Sequence, residues 1–438
     1  MKTPARQAFN INISEDYIIN KFTFGIARMF TPIKFITFFI VFILINKSVT
    51  AQQTLNPFPQ HANYSSGVIK PNHVTQQQLD DSVISFYNNW KERYINDDAG
   101  EGQYYIWVEG SVGDNQCVSE GQGYGMMIVA LMAGYDTAAQ KIYNGLYKYY
   151  KLHPGKNSPS LMAWAQTNTF KDVDGSSAAD GDMDIAYSLL LANAQWGSNG
   201  KINYLAEAQS MIAAIMKQEI NAETFSVLLS NEVKYDSKDY FDMRSSDFMP
   251  AHFKAFGKAS NDTAWNKVVD KNYMLFNFMQ NKFSEDAGLL PDFMEHINTR
   301  PVPAGPHYLE SKYDGKYNYN ACRVPWRIAT DFIINGDSRS KKFVEKINKW
   351  IMETTQENPD NISAGYTLEG DDIRTRYFEA MSFIAPFAVS AMVDATNQTW
   401  LNKLWDYILS FDIDQYDYYD NTIKMISMII LSGNYWCP

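Results

Sequence analysis

The sequence predicts an all-α fold of about a dozen helices, and three observations carry that prediction. From Thr75 to the C-terminus, apolar residues keep recurring three and four apart, the spacing that gathers side chains on one helical face. Alternation with period two is confined to short stretches at residues 104–108 and 225–229. No glycine-rich phosphate loop follows a strand, so a dinucleotide-binding α/β fold has no support. The chain of 438 residues is 45% hydrophobic and 20% charged, a globular rather than a disordered composition. No charge block or low-complexity linker divides residues 76–438, which read as one domain.

Residues 35–45 form an apolar run of signal-peptide length, too short to span a bilayer comfortably. Lys34 precedes it and the small residues ending at Ala51 follow, so residues 1–51 read as an export leader, cleaved near Ala51. Met29 is a candidate true start, because it leaves a leader of ordinary shape. A secreted or periplasmic protein is expected, with membrane contact only through an uncleaved leader. Residues 52–75, rich in Gln, Asn, Pro and Ser, read as an extended lead-in.

Residues 77–97 are amphipathic and open the helical series. Residues 124–135 and 137–152 read as a helix pair broken near Asp136. After the acids Asp180, Asp182 and Asp184, the side chains of Ala186, Leu189, Leu190 and Asn193 share a face, which marks a helix with acids at its N-terminal mouth. Further helices are expected at 202–217, 264–282, 338–356, 377–394, 399–411 and 422–432. The segments between them are long, polar and rich in Gly, Asp, Asn and Tyr. Helical rhythm alone does not separate a closed ring from a solenoid or a bundle.

The formal net charge is −11. Residues 1–51 carry six Lys or Arg against two Asp or Glu, leaving −15 on the remainder. Such a surface argues against nucleic acid as a partner and suits a cationic polymer. Three cysteines make an odd count that is no disulfide scaffold, and spacing does not say which pair would form. The six histidines are scattered, no metal-ligand spacing appears, and no metal or cofactor is expected. With 28 Tyr and 10 Trp, the chain is rich in flat faces on which sugar rings can stack.

Three segments carry candidate chemistry. In Val118-Ser-Glu120-Gly-Gln-Gly-Tyr124-Gly-Met126 a carboxyl sits beside three alternating glycines, expected to let a loop approach a bulky ligand. A partly desolvated Glu there would stay protonated, as the general acid of glycosidic cleavage must. The second segment is the acid-rich turn from Ser176 to Asp184. The third is Tyr317-Asn-Tyr-Asn320-Ala-Cys-Arg323-Val-Pro-Trp326-Arg327. A long loop before it brings Asp292, Glu295, Glu310 and Asp314.

The run from Ala178 to Trp196 resembles the signature of glycoside hydrolase family 8, with every fixed position fitting except Ala179, where the family has Ser or Thr. The segment around Glu120 resembles that family's catalytic-acid motif, and the third segment its Ala-Cys-Arg-x-Pro-Trp-Arg helix start. Leu161-Met-Ala-Trp164, Phe248-Met-Pro-Ala-His-Phe253 and Gly365-Tyr-Thr-Leu-Glu-Gly370 extend the likeness, which runs from about residue 116 to residue 386. The resemblance implies an (α/α)6 barrel, six helical hairpins in a ring. It implies Glu120 as proton donor, Asp180 as a contact to the sugar at the cleavage point, and Trp164 beneath a ring. Tyr124, Asn320 and Arg323 join them as substrate contacts, Arg323 by positioning a loop acid or a sugar hydroxyl. Asp182 and Asp184 are expected to be structural.

Asn320 stands where many members carry the Asp that serves as general base, and an amide cannot take a proton. In the Asn-bearing branch a Glu on the preceding loop takes that role, which falls here on Glu310, with Asp314, Asp292 and Glu295 as substitutes. The expected protein is thus a monomeric, exported, inverting endo-glycosidase of β-1,4-linked polysaccharide. Chitosan stands slightly ahead of β-glucan, and cellulose-like glucan and xylan stay open. A polysaccharide-binding protein that has lost its base is the alternative of another class.

Overall fold

The computed structural model describes residues 54–374 and 380–438. The expected leader, the first two residues of the lead-in and the start of the helix expected at 377–394 lie outside the described residues. Twelve α-helices occur among them: α1 (Gln76–Tyr94), α2 (Ser119–Leu131), α3 (Ala139–Leu152), α4 (Ala179–Trp196), α5 (Tyr204–Gln218), α6 (Pro250–Ser260), α7 (Ala264–Phe283), α8 (Val324–Asn335), α9 (Ser338–Thr355), α10 (Met381–Ala391), α11 (Gln398–Leu409) and α12 (Tyr418–Leu431).

The even-numbered helices pack in a cycle: α2 on α4, α4 on α6, α6 on α8, α8 on α10, α10 on α12, and α12 back on α2. Each odd-numbered helix packs on one of them, with α3 on α2, α5 on α4, α7 on α6, α9 on α8, α11 on α10 and α1 on α12. The result is an (α/α)6 barrel, and the sequences of the two rings explain their places. An inner helix touches protein on every side and must be apolar all round. Every residue of α10, Met-Ser-Phe-Ile-Ala-Pro-Phe-Ala-Val-Ser-Ala, is buried. An outer helix needs only a stripe, and α9 buries Phe343, Val344, Ile347 and Ile351 while its lysines face solvent.

Side chains and glycines fix the ends. Thr75 and Gln78 form a capping box on α1, Asp337 accepts from the Arg339 N–H at the start of α9, and Gly336 (φ 68°) closes α8 in the left-handed conformation. The connections are lopsided. Inner helices hand over to outer ones through short turns such as 336–337 and 261–263, whereas the returns at 95–118, 153–178, 219–249 and 284–323 are long. Nine short strands stiffen the long returns: β1 (Ile95–Asn96), β2 (Tyr105–Ile106), β3 (Cys117–Val118), β4 (Pro154–Gly155), β5 (Ser158–Met162), β6 (Ala165–Gln166), β7 (Met243–Arg244), β8 (Phe293–Glu295) and β9 (Val302–Pro303). All pair antiparallel, as β1–β2, β3–β6, β4–β5 and the three-stranded β7–β8–β9.

Four expectations change. Residues 225–229 form no strand, and Val227 makes only an isolated bridge to Ile220. Helix α6 and the whole length of α8 were not foreseen: α8 is buried almost throughout, its polar Arg327, Thr330 and Asp331 included, and the short α6 buries mainly its N-terminal end. Helix α12 begins at Tyr418, four residues before the expected start. Helix α2 begins at Ser119, so Gly121, Gly123 and Gly125 lie inside a helix rather than in a ligand-facing loop. Their work is close packing. A Cβ on Gly123 would stand 2.7 Å from the Asp184 Cβ and 3.0 Å from the Gly181 carbonyl oxygen, so α2 and α4 cross nearly backbone to backbone.

Candidate active site

The long returns all lead into N-termini of inner helices, and those N-termini make a cleft of about 480 Å3. The first residues of α2, α4 and α12 contribute Ser119 and Glu120, Asp180, and Tyr419 and Asp420. The approaches to α6 and α8 add Arg244, Glu310, Tyr319 and Asn320, and the return before α4 adds Trp164. Free N–H groups and the positive end of the helix dipole favour negative charge, which suits carboxylates at these positions.

The close crossing of α2 and α4 sets Glu120 beside Asp180, and one buried arginine serves both. The Arg323 Nη1 donates to Glu120 Oε2 at 2.7 Å, to Asp180 Oδ2 at 2.8 Å and to the Tyr124 hydroxyl at 3.2 Å. Its Nη2 donates to Ser246 Oγ at 2.8 Å and to Asn320 Oδ1 at 2.9 Å. The Asn320 amide turns the other way to donate Nδ2 to Glu310 Oε2 at 2.7 Å. Glu120 and Glu310 are thus joined through Arg323 and Asn320, each bonding to its neighbour. Asn320 cannot act as a base, but it supplies a donor where an Asp would repel Glu310.

The two carboxyls beside Arg323 titrate apart. Burial raises Glu120 to about 7, with the Asp180 charge adding to the effect and Arg323 opposing it. Burial also pushes Asp180 up, yet Arg244 and Arg323 together outweigh it and hold Asp180 down at about 2. One cleft therefore offers a protonated acid and a permanent anion side by side.

The other loop acids are occupied elsewhere. Asp292 Oδ1 accepts the N–H groups of Asn318, Asn320 and Ala321, bracing the turn that carries Asn320. Asp314 accepts the N–H groups of Leu309, Glu310 and Ser311, pinning the backbone of Glu310. Glu295 accepts from the Gly305 N–H. None of these three lines the cleft, whereas the Glu310 side chain does and is 46% exposed.

Asp184 takes a two-pronged ion pair from Arg327, at 2.8 and 2.5 Å, and a bond from His252 Nε2 at 2.9 Å, all buried. Asp182 Oδ1 accepts the Met162 N–H at 2.8 Å. Trp164 is half-buried along the cleft, its indole N–H donating to Asp174 at 3.3 Å. Tyr124 is fully buried and stands behind the cleft against Arg323, and Arg323 itself holds Glu120, Asp180 and Asn320 from beneath. Arg323 therefore reaches the loop acid Glu310 only through Asn320.

Arg244, Tyr319, Tyr419 and Asp420 were not singled out from the sequence. Arg244 directly precedes the Ser-Ser-Asp247 and Phe248-Met-Pro segments, but nothing in that run marks its contact with a distant loop acid. Cys117, Cys322 and Cys437 are free thiols. Among the described residues no group of three His, Cys, Asp or Glu is arranged to hold a metal, and no helix is long and apolar enough to cross a membrane.

With this geometry in view, comparison with known proteins settles the family. The family described as Glycosyl hydrolases family 8 matches residues 67–433. The chain belongs to glycosyl hydrolase family 8. Within family 8, the chain is 44% identical over 398 residues to a beta-glucanase of Niallia circulans, covering 91% of this chain and 95% of the relative. It is 40% identical over 395 residues to an endoglucanase of Bacillus sp. (strain KSM-330), covering 88% of this chain and 82% of the relative. The solved apo structure of a beta-1,3-1,4-glucanase from Paenibacillus sp. X4 superposes with a TM-score of 0.84 at 45% identity, over 88% of this chain and 100% of that one. The protein is accordingly a glycosyl hydrolase with the (α/α)6 architecture of family 8.

Proposed function

We propose that the protein is an exported endo-hydrolase of β-1,4-linked glucan, mixed-linkage β-1,3-1,4-glucan included, and that it works with inversion. The observation that carries this reading is the pair of unlike carboxyls in one cleft. Glu120, raised to about 7, is the general acid that protonates the leaving oxygen. Glu310, held by a donor on each oxygen and open to solvent, is the base that takes a proton from the attacking water. Arg323 and Asn320 stand between the two carboxyls, in keeping with the gap that an inverting pair needs for its water. Asp180, kept ionised, fixes a sugar hydroxyl at the cleavage point, and Trp164 offers a face to a neighbouring ring.

The beta-glucanase, endoglucanase and beta-1,3-1,4-glucanase among the relatives support β-glucan ahead of chitosan. Export rests on the apolar run at residues 35–45 and the small residues before Gln52.

Proton NMR of barley β-glucan or carboxymethyl-cellulose during the first minutes of hydrolysis tests the reading. The first-formed reducing ends carry the α-configuration if inversion holds, and β-configured first products would overturn it. Release of reducing sugar from chitosan but not from either glucan would overturn the substrate assignment.

A further inference from the structure

The Glu310 side chain sits on the long return between α7 and α8, where an unsupported carboxylate would wander. Two donors hold it. Asn320 lies in the turn braced by Asp292, and Arg244 reaches over from the return before α6. The Arg244 backbone is fixed, because Arg244 pairs with Phe293 in the β7–β8 register and the next residue, Ser245, donates its N–H to Asp292. Its guanidinium lies over the Phe293 ring, 5.4 Å from the centroid. From there Nη2 meets Glu310 Oε1 at 3.3 Å, while Nη1 faces Asp247 Oδ2 at 3.6 Å and Asp180 Oδ1 at 3.8 Å. The side chain is only 12% exposed, yet it lines the cleft.

We infer that Arg244 is a positioning residue of the reaction, a fixed cation that places the Glu310 carboxylate for water activation. The inference rests on Glu310 being the base. Asp180 does not need Arg244 to stay in place, because Arg323 already donates to it at 2.8 Å. Among the described residues Arg244 is the side-chain donor to Glu310 Oε1, and Asn320 serves the other oxygen. Loss of Arg244 therefore acts on the chemical step more than on substrate binding. Asp247 acts one place further back, as the acid on the far side of the guanidinium.

The test compares Arg244→Met, Arg244→Lys and Glu310→Gln with the parent on barley β-glucan, with melting temperatures recorded for all. Arg244→Met lowers kcat by about 10²-fold, the usual result of misplacing a reacting group by about 1 Å, and changes KM by less than about threefold. Arg244→Lys keeps the charge but loses the planar fork, so its kcat falls between Met and the parent. Adding guanidinium chloride at millimolar concentration raises the rate of Arg244→Met and leaves the parent unchanged. Glu310→Gln stands as the separate control: it is inactive but still binds β-glucan, and a Glu310→Gln enzyme near parental activity would remove the base assignment itself. With Glu310→Gln inactive, a kcat for Arg244→Met within about threefold of the parent would overturn the role of Arg244. So would a Lys variant as inactive as the Met variant with melting temperatures lowered alike. If the Met variant does not fold, the Lys variant decides alone: parental kcat, or an unchanged kcat with raised KM, would overturn the inference.

Discussion

Glu120→Gln should make this enzyme inactive and, above neutral pH, more stable. The Glu120 carboxyl titrates at about 7 in the folded chain against 4.5 for the free group. The folded state thus binds this proton more tightly than the unfolded state does. Below pH 4.5 the group is neutral in both states and costs nothing; as pH rises from 4.5 through 7 the folded state loses stability relative to the unfolded one. At 1.36 kcal/mol per pH unit the full loss is about 3 kcal/mol, and water reaching a side chain that is 17% exposed trims it to about 2 kcal/mol. Gln has the shape of the protonated acid and no charge to desolvate, so it removes this loss. Urea unfolding at pH 4.5 and at pH 8 measures it. The variant and the parent should agree at pH 4.5, and the variant should lead by about 2 kcal/mol at pH 8, near 4 °C in melting temperature for a large domain. Turnover should fall by about 10²–10⁴-fold with the general acid gone. A variant less stable than the parent at pH 8, or a gap equal at both pH values, would refute the idea that Glu120 is kept protonated by burial.

Three further outcomes are expected. Trp164→Ala should raise KM about tenfold, about 1.4 kcal/mol of lost binding, with a smaller change in kcat, read from initial rates on β-glucan oligomers of several lengths. Asp184→Asn leaves the buried Arg327 without its anion and should cost about 3–5 kcal/mol of stability by chemical denaturation, although Asp184 is buried behind the cleft and does not line it. Gly123→Ala forces a methyl group against Asp184 and the Gly181 carbonyl, so it should cost about 1–3 kcal/mol and lower kcat by parting Glu120 from Asp180.

The outer ring was readable in the sequence because each outer helix shows one apolar stripe and one wet face. The expectation of 338–356 meets Ser338–Thr355, and that of 264–282 meets Ala264–Phe283. The inner ring was harder. In α8 nearly every side chain is buried, polar ones included, so Arg327 and Asp331 look like surface residues until their buried partners are seen. The glycines of α2 looked like loop punctuation because what they make room for is distant in sequence: the α4 backbone for Gly123, the Tyr418 ring for Gly121 and the Ile106 side chain for Gly125.

Within the site, Glu120, Asp180 and Arg323 stand in contiguous motifs and could be read locally. Arg244 matters only through Glu310, Asp180 and Asp247 in space, and no local pattern marks that meeting. The acids Asp292 and Asp314 were ambiguous for a related reason. A carboxylate that ties down backbone N–H groups and one that activates water are the same residue type, and only their partners tell them apart.

The lopsided connections separate chassis from tooling. Short turns at one rim lock the hairpins together, and at the other rim the long returns and the helix N-termini they lead into line the cleft. Glu310 rides on such a return, clasped by Asn320 from the same return and by Arg244 from the one before α6. Exchanging residues 296–317 as a cassette would therefore recut the groove, and even relocate the carboxylate proposed to activate water, while the twelve-helix frame keeps its shape.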